Sequence, residues 1–425
     1  MPHWRFSDEH EMFRKSVRRF VEKELSPFVE EWEEAGEVPE MVFRRAGENG
    51  YLGLKYPEEF GGAADYPAAA IFHEELGRCG AGGVAAALRA HAEMATPLIN
   101  FLGTGEQKER YLAPAVQGQK IAAPGIADFE GGVDWGSGSG SDLGLGLDGP
   151  ALLPAAVREG AHYVVNGRIL AINGASCDFV VLAVKDPAAG VGNGIEKNRE
   201  AGLRGISLLL VDKGTPGFAV GERRPMLGWR SSGTAELSFE DCRVPAENLL
   251  GEEKMGFQHI TANRRWEWIT LALGAVGGAG MALETAQKYA SQRVQFGRPL
   301  TGFQATRHKL AEMAAGIEAA RELAYHALDL YVNDVEGAGG FDATVVAGGM
   351  GRVDPPVPTK EAAMAKLYAT EVYRWVADNA VQIHGGYGYA MEYPAQRFWR
   401  DARLGTIKEG ASEFMREAIA EEILK

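Results

Sequence analysis

One glutamate near the end of the chain stands where a carboxylate could do chemistry. Glu409 lies in the stretch TIKEGASEF, residues 406–414, directly after a lysine and directly before Gly410. A carboxylate at such a place can act as a general base if the fold closes it off from water, because desolvation raises the pKa of an acid. The alternative interpretation is a solvated glutamate near the start of a helix.

Two further motifs combine the residue types that bind a large, planar cofactor with a pyrophosphate. In RVQFGRP, Arg293 can supply positive charge, Phe296 a stacking face and Gly297 a turn. In QIHGGYGY, Gln382 can form hydrogen bonds, and the glycines after it leave room for a close approach. Taken singly, each residue also has an ordinary explanation, such as a salt bridge for the arginine.

The composition argues against several other kinds of site. The formal net charge of -14 opposes binding to nucleic acid or to anionic membranes. The nine histidines occur singly, and the three cysteines are too few and too far apart for a disulfide framework or a CxxC metal site. We therefore expect no metal centre, no nucleic-acid partner and a reducing compartment.

Hydropathy and the N-terminal residues predict a location. The first twenty residues carry charges throughout and lack an apolar stretch followed by a cleavage site, so we expect no secretion signal. We also find no apolar run long enough to span a bilayer. The expected location is the cytoplasm, without a membrane partner.

The spacing of apolar residues changes twice along the 425-residue chain. Residues 1–118 show helical spacing, with Ser7 as a candidate N-cap. Residues 119–245 contain short apolar runs separated by turns, and residues 246–425 return to long amphipathic helices. The predicted fold class is α+β, with an N-terminal helical domain, a middle antiparallel β-barrel or sandwich domain and a C-terminal four-helix bundle.

Glycines give two finer predictions. Asn166–Gly167 lies between apolar runs and predicts a hairpin turn, because both turn residues must tolerate a positive φ. Four glycines inside the first long bundle helix would each weaken it by about 1 kcal/mol relative to alanine. Another segment must therefore approach that face closely; the four are Gly274, Gly277, Gly278 and Gly280.

Several long motifs, in order and spread over nearly the whole chain, resemble the acyl-CoA dehydrogenase family. They are MLGWRSSGTAELSFEDCRVPAENLLGEEKMGF, GAVGGAGMALETAQKYASQRVQFGRPLTGFQ, KEAAMAKLYATE, AVQIHGGYGYAMEYPAQRFWRDAR and IKEGASE. The resemblance implies an FAD-dependent oxidoreductase that converts an acyl-CoA thioester to the 2-enoyl-CoA. It also implies a homotetramer, a dimer of dimers with FAD shared between subunits, and an electron-transfer flavoprotein as electron acceptor.

The resemblance also implies roles for particular residues. Glu409 would remove the α-proton while hydride leaves the β-carbon for flavin N5, and its backbone N–H would stabilise the enolate oxygen. Glu267 falls where a minority of the family carries the base, so it is an alternate base or a substrate contact. The implied cofactor-binding residues are Arg293, Gln295, Phe296, Gln382, Gly385, Gly386 and Ser412, and the implied substrate-binding residues are Ser141, Glu267, Trp268 and Gly410.

The chain departs from the family pattern around the cofactor. Trp268 occupies a position where the family normally has an arginine, which Arg264 or Arg265 could replace. The family's Trp-Ile-Thr-Asn, which shields the flavin, reads Ala-Ile-Asn-Gly at residues 171–174, and the Thr-Glu before Pro124 is Ala-Ala. These changes predict altered FAD binding and leave the acyl group undetermined.

Two other functions stay open at the level of the sequence. A flavin-dependent monooxygenase on the same fold would need access for oxygen and no glutamate base, so Glu409 disfavours it. An interaction protein without activity would have no physical need for Glu409 beside the motifs of Arg293 and Gln382.

Overall fold

The computed structural model describes residues 6–126, 153–188, 205–337 and 360–424. The first of these ranges is helical up to the start of the sheet, as predicted. Ser7 caps the first helix, because its Oγ accepts a hydrogen bond from the backbone N–H of His10 at 3.2 Å. The helices of this region are α1 (Asp8–Phe20), α2 (Val29–Ala35), α3 (Glu40–Glu48), α4 (Tyr66–Gly77), α5 (Gly82–Arg89), α6 (Thr96–Leu102), α7 (Gly105–Gln107) and α8 (Ala113–Val116).

A wider, π-type turn continues α5 into the interior. It covers Ala90–Ala95, and every residue in it is buried, including His91 and Glu93. Such insertions change the direction in which the following side chains point and are frequent at functional sites. This one brings Arg89, the last residue of α5, and Glu93 to the same interior region.

The described middle part of the chain forms one sheet of eight strands. The strands are β1 (Ala122–Gly125), β2 (Ala155–Glu159), β3 (His162–Ala171), β4 (Phe179–Lys185), β5 (Ile206–Asp212), β6 (Phe218–Arg223), β7 (Ala235–Pro245) and β8 (Leu249–Leu250). Their order is β6-β7-β3-β2-β4-β5-β8, and β1 pairs with β4 outside this path. Most neighbours are antiparallel, as predicted, while β1 and β2 run parallel to β4.

The predicted hairpin at Asn166–Gly167 is wrong. Both residues lie inside β3, where the register with β7 shifts between Val165 and Gly167. The turn that joins β2 to β3 lies at Gly160, with φ +60°, between the paired residues Glu159 and His162. Gly167, with φ +132°, supplies a β-bulge instead, which needs the same conformational freedom as a turn.

Long helices return after the sheet. Helices α9 (Gly256–Gln292), α10 (Gln304–Gly337) and α11 (Lys360–His384) pack against one another, and α14 (Ser412–Ile423) packs against α11, which completes the predicted bundle. The sheet begins at Ala122 and α9 at Gly256, while the exact domain limits after 118 and 245 stay predictions. The elements are α9 (Gly256–Gln292), β9 (Val294–Gln295), β10 (Arg298–Pro299), α10 (Gln304–Gly337), α11 (Lys360–His384), α12 (Gly386–Tyr389), α13 (Ala395–Gly405) and α14 (Ser412–Ile423).

Helix α9 is the central element, and two of its four glycines leave no space for a Cβ atom, as predicted. A Cβ atom at Gly277 would lie 1.9 Å from the carbonyl oxygen of Glu74 in α4, and one at Gly278 would lie 2.8 Å from the ring of Tyr373 in α11. The same helix corrects the hydropathy analysis. By length and composition α9 could cross a membrane, and 72% of its most apolar window is buried inside this fold.

Two apolar clusters form the core, and α9 contributes to both. One joins the first helices to the bundle and contains Trp266 and Trp268. The other lies between the sheet and helices α5 to α8, and contains Phe257 and Leu271. Because α9 packs in both clusters, the residues of α9 between Phe257 and Leu271 are held in place from both sides.

Candidate active site

Glu409 lies on a tightly held loop between α13 and α14. Its side chain is 1% exposed, and its backbone has φ +57°, a conformation that costs free energy for any residue except glycine. Lys366 of α11 donates a hydrogen bond to the carbonyl oxygen of Gly410, and the N–H of Ser412 donates to Thr406 at 3.0 Å. These contacts direct the Glu409 carboxylate into the interior.

The partner of Glu409 is Arg89, at the end of α5. The Nη1 atom of Arg89 lies 2.8 Å from Oε2 of Glu409, and the Nη2 atom lies 2.5 Å from Oε1. Burial by itself raises the pKa of Glu409, but the charge and hydrogen bonds of Arg89 outweigh it and lower that pKa to about 2. In the protein alone, the charge of Arg89 thus outweighs burial, and the expected rise of the Glu409 pKa when a substrate excludes water stays a prediction.

Glu267, the alternate base, lies beside this pair on α9. It is 1% exposed, and its oxygens accept hydrogen bonds from Asn263 and Arg264, each at 2.9 Å. Burial raises the pKa of Glu267, and the nearby charge of Glu409 adds to the rise, while Arg264 opposes it. The structure thus brings both candidate bases together, with Glu267 the more easily protonated.

Arg264 and Arg265, the two arginines that could replace the one missing at position 268, have different contacts. Arg264 pairs with Glu267, and the guanidinium of Arg265 lies over the ring of Tyr331, 5.6 Å from its centroid. Neither is the partner of Glu409. Arg89, from a different part of the chain, is the bidentate partner of Glu409, while Arg264, one turn before Trp268 on α9, orients the neighbouring acidic group Glu267.

A second buried charged cluster adjoins the first, and the sequence analysis missed it. Glu93 contacts Lys55, accepts a hydrogen bond from His73 Nε2 at 2.7 Å and accepts another from the indole N–H of Trp266. All four side chains are buried. The available signal was the presence of Arg89 and Glu93 within an otherwise apolar helical stretch, AAALRAHAEMATPL.

Arg89 and His73 also line a cavity of about 60 Å³. Small residues of α4, α5, α9 and α13 form most of its wall, among them Gly77, Ala86 and Gly274. Thr370 and Asp401 add polar atoms to the wall. Arg89 therefore both pairs with the candidate base and forms part of the cavity wall.

The cofactor-binding residues that the sequence predicts line a separate, open groove of about 550 Å³. It contains Arg293, Gln295, Gly385 and Gly386. A Cβ atom at either glycine would meet nothing within 4 Å, so the backbone there is accessible to a ligand. Arg293 is exposed, which suits a charge-assisted contact with a pyrophosphate.

Two other predicted cofactor residues lie near this groove without lining it. Gln382 is exposed on α11, close to its end, and Phe296 is 94% exposed at the tip between β9 and β10. The Phe296 ring meets Phe303 edge-on, with the ring centroids 6.3 Å apart and the planes at 75°. The faces of the exposed Phe296 ring therefore stay available for stacking.

Unpartnered polar atoms flank the Glu409 loop. Among the described residues, the buried Ser412 Oγ and the buried Trp268 Nε1 have no hydrogen-bond partner. Trp268 also lies against the loop, since a Cβ atom at Gly410 would be 3.6 Å from its ring. A buried polar atom without a partner is costly, so these two atoms suit contacts with a bound group. Ser141 lies outside the described residues.

The altered Ala-Ile-Asn-Gly turn connects the sheet to α5. Asn173 has φ +62°, and its Nδ2 donates to the carbonyl oxygens of Ala87 at 2.9 Å and Ala122 at 3.4 Å. Ala87 is two residues before Arg89. The turn that departs from the family pattern therefore supports the helix that presents Arg89.

Two family models match most of the chain. The acyl-CoA dehydrogenase N-terminal domain matches residues 7–119, and the acyl-CoA dehydrogenase C-terminal domain matches residues 254–424. The chain belongs to the acyl-CoA dehydrogenase family. The resemblance of the motifs and the predicted order of helices, sheet and helices are thereby confirmed, and the protein is an oxidoreductase of this family.

Relatives of this acyl-CoA dehydrogenase match over nearly their whole length. A short-chain specific acyl-CoA dehydrogenase of Clostridium acetobutylicum is 37% identical, with 98% of each chain covered. The solved butyryl-CoA dehydrogenase of Megasphaera elsdenii is 32% identical with a TM-score of 0.82, and both chains are fully covered. A chain solved in work on the electron transferring flavoprotein of Acidaminococcus fermentans is 34% identical, also with full coverage and a TM-score of 0.83.

Proposed function

We propose that this protein catalyses the FAD-dependent α,β-dehydrogenation of an acyl-CoA thioester to the 2-enoyl-CoA, with Glu409 as the base that takes the α-proton. The observation that carries the proposal is the buried Glu409 carboxylate on a fixed loop, within a chain of the acyl-CoA dehydrogenase family. A base for a weakly acidic C–H proton must be shielded from water, and this one is.

The protein supplies position, charge and a closed environment. The Glu409 loop, fixed by Lys366, holds the carboxylate in the interior, and Arg89 and Arg264 contribute positive charge that would stabilise a developing enolate. Glu267 is the alternate base or a substrate contact.

FAD fits the residues that would hold it. Arg293, Gln295, Gly385 and Gly386 suit the nucleotide end, and the unpartnered Ser412 Oγ and Trp268 Nε1 lie beside the Glu409 loop. When bound, the flavin supplies the acceptor for the β-hydride. Support also comes from the relatives, since one similar chain was solved in work on an electron transferring flavoprotein.

Partner, assembly and location belong to the same proposal. We propose an electron-transfer flavoprotein as the electron acceptor, a homotetramer arranged as a dimer of dimers and a cytoplasmic location. Sedimentation of the purified protein tests the assembly, because a homotetramer contains four chains of 45.8 kDa. A single chain in solution would contradict it.

Anaerobic titration of the FAD-loaded protein tests the reaction. Straight, branched, cyclic and aromatic acyl-CoAs are added in turn, the oxidised flavin absorbance is followed, and the CoA product is identified by mass spectrometry. We expect at least one acyl-CoA to bleach the flavin and to lose two hydrogen atoms. The proposal fails if the protein takes up no FAD at excess cofactor, or if none of the acyl-CoAs bleaches the flavin.

A further inference from the structure

The residue directly before the candidate base carries a positive charge into the interior. The Lys408 side chain is 15% exposed, and its Nζ atom lies 3.8 Å from Oε1 of Glu409. The same Nζ lies over the ring of Trp229, 5.6 Å from the ring centroid. Trp229 is itself held in place, because its backbone N–H donates to Asp401 at 2.7 Å. The ammonium of Lys408 is therefore positioned beside the base.

The N–H groups of this ammonium have no hydrogen-bond acceptor among the described residues. The contact with Glu409 is an ion pair beyond hydrogen-bond distance, and the face of an indole ring is not a conventional acceptor. The backbone N–H of Glu409 likewise donates to no group within the part of the chain that the structure describes. Donors that are shielded from water and unpaired are costly, so these two suit an oxygen atom of a bound group.

The proposed reaction brings such an oxygen to this place. For Glu409 to take the α-proton, the α-carbon must come within about 3 to 3.5 Å of the carboxylate. The thioester oxygen is two bonds from the α-carbon, so it lies beside the same loop. As the proton moves to Glu409, the electron pair of the broken C–H bond moves toward the carbonyl, and its oxygen gains negative charge until hydride leaves the β-carbon for the flavin.

One cation can serve both sites of charge in turn. In the resting protein Lys408 is a counter-ion of the ionised Glu409, and that negative charge disappears when the carboxylate takes the proton. The ammonium can then donate a charge-assisted hydrogen bond to the enolate oxygen, which is stronger than an ion pair at 3.8 Å. An interaction that strengthens on the way to the transition state accelerates the reaction.

We propose that Lys408 is a further catalytic residue, whose ammonium donates to the thioester oxygen and stabilises the enolate that forms when Glu409 takes the α-proton. This inference rests on the proposed function and adds a charged side-chain donor to it. Two other cations act on Glu409, but both already donate to carboxylates: Arg89 to Glu409 itself and Arg264 to Glu267.

The active form of Lys408 is the ammonium, so its titration should appear in the rate. Burial lowers the pKa of Lys408 to about 8. The charges of Glu409, on the same loop, and of Glu267, on α9, oppose this decrease, while those of Arg89 on α5 and Arg264 on α9 add to it. The ammonium is therefore the main form at neutral pH, and we expect the rate to fall as the pH rises through about 8.

A cation that only neighbours the base would have the opposite effect. The charge of Lys408 lowers the pKa of Glu409, so its removal makes that carboxylate a stronger base and would by itself raise the rate of proton removal. A fall in rate on removing the charge therefore requires contact with the enolate, and the sign of the change decides between the two roles.

The test follows removal of the α-proton separately from oxidation. Lys408→Met keeps the length of the side chain without its charge, and Lys408→Arg keeps a charge that does not titrate in this range. Lys23→Met, at an exposed position just after α1, is the matched control. The limiting rate of flavin bleaching by a good substrate is measured anaerobically across neutral and alkaline pH.

A second measurement uses a thioester analogue in which sulfur replaces the β-carbon. Its α-proton can be removed, but it has no β-hydride to transfer. The exchange of this α-proton for deuterium in heavy water is followed by NMR in the wild type and in the same three variants. FAD content is measured in each variant as a control for folding.

We expect both rates at neutral pH to fall about 100-fold in Lys408→Met, as the loss of one donor to a developing oxyanion predicts, and to fall less in Lys408→Arg. The decline above about pH 8 should disappear in both variants, and Lys23→Met should behave as the wild type. Exchange in Lys408→Met that equals or exceeds that in the wild type would overturn the inference, even where an acyl-CoA is oxidised as proposed. If no acyl-CoA bleaches the flavin, the proposed oxidation fails, while slower exchange in Lys408→Met would still support this role of Lys408.

Discussion

Arg89 and Glu409 lie 320 positions apart in the chain, yet two nitrogens of the guanidinium contact both oxygens of the carboxylate, at 2.8 and 2.5 Å. The arginine ends α5 in the N-terminal region, and the glutamate lies between two helices of the C-terminal region. A bidentate pair fixes the direction of a carboxylate as well as its charge. The position of the candidate base therefore depends on how these two regions pack together.

The identity of the base can be settled by two isosteric substitutions. Glu409→Gln removes the proposed base, so we expect the rate of flavin bleaching by a good substrate to fall by at least about a thousandfold. Glu267→Gln should lower that rate by less than about tenfold, because Glu267 is bound to Asn263 and Arg264 on α9. Stopped-flow absorbance under anaerobic conditions measures both rates.

The opposite pattern would reverse this assignment. Bleaching that survives in Glu409→Gln and disappears in Glu267→Gln would make Glu267 the base and leave Glu409 as the anchor for Arg89. FAD content and the circular dichroism spectrum of each variant serve as controls for folding.

The pH dependence of the reaction should respond to Arg89. In the wild type the pKa of Glu409 is lowered to about 2, so the base is already ionised throughout the usual assay range and gives no acid limb there. In Arg89→Gln, burial and the charge of Glu267 raise the pKa of Glu409, while Lys408 and Arg264 still oppose the rise. We therefore expect an acid limb to appear in the profile of kcat/KM for an uncharged acyl-CoA. Identical profiles would show that Arg89 does not control this titration.

FAD binding in the cofactor groove should depend on Arg293. Arg293→Gln removes a charge from the wall of the groove, so we expect FAD to bind about 10- to 100-fold more weakly, as the loss of a charge-assisted hydrogen bond predicts. Quenching of flavin fluorescence during titration of the cofactor-depleted protein measures the dissociation constant. Arg298→Gln is the control, since Arg298 is also exposed and lies over Phe303, 4.0 Å from the ring centroid. Equal affinity in both variants would place the pyrophosphate elsewhere.

Much of the fold could be predicted because local patterns determine it. The cap at Ser7, the strands and the long bundle helices follow from side-chain types and apolar periodicity. The failure at Asn166–Gly167 has a physical reason: a β-bulge and a hairpin turn both need a residue that tolerates positive φ, and only the register of neighbouring strands distinguishes them.

The site was only half predictable for a different reason. Glu409 and Glu267 belong to motifs, so the sequence indicates them directly. Arg89 and Glu93 belong to an apolar helical stretch, which shows that their charges need partners but not which distant residues provide them. The meeting of α5 with the Glu409 loop is a property of tertiary packing, and so is the choice of Arg89 over Arg264 or Arg265.

Asp401 joins three parts of the fold, so its replacement should destabilise the protein. It lies on α13, and its two oxygens accept hydrogen bonds from the backbone N–H groups of Gly82 at the start of α5, at 2.8 Å, and of Trp229 in the loop before β7, at 2.7 Å. In Asp401→Asn only one oxygen remains, so one buried N–H loses its acceptor. We expect the free energy of unfolding in urea to fall by about 1 to 3 kcal/mol. Asp378→Asn, at an exposed position of α11, should change it by less than about 0.5 kcal/mol, and a similar loss in both variants would contradict this role of Asp401.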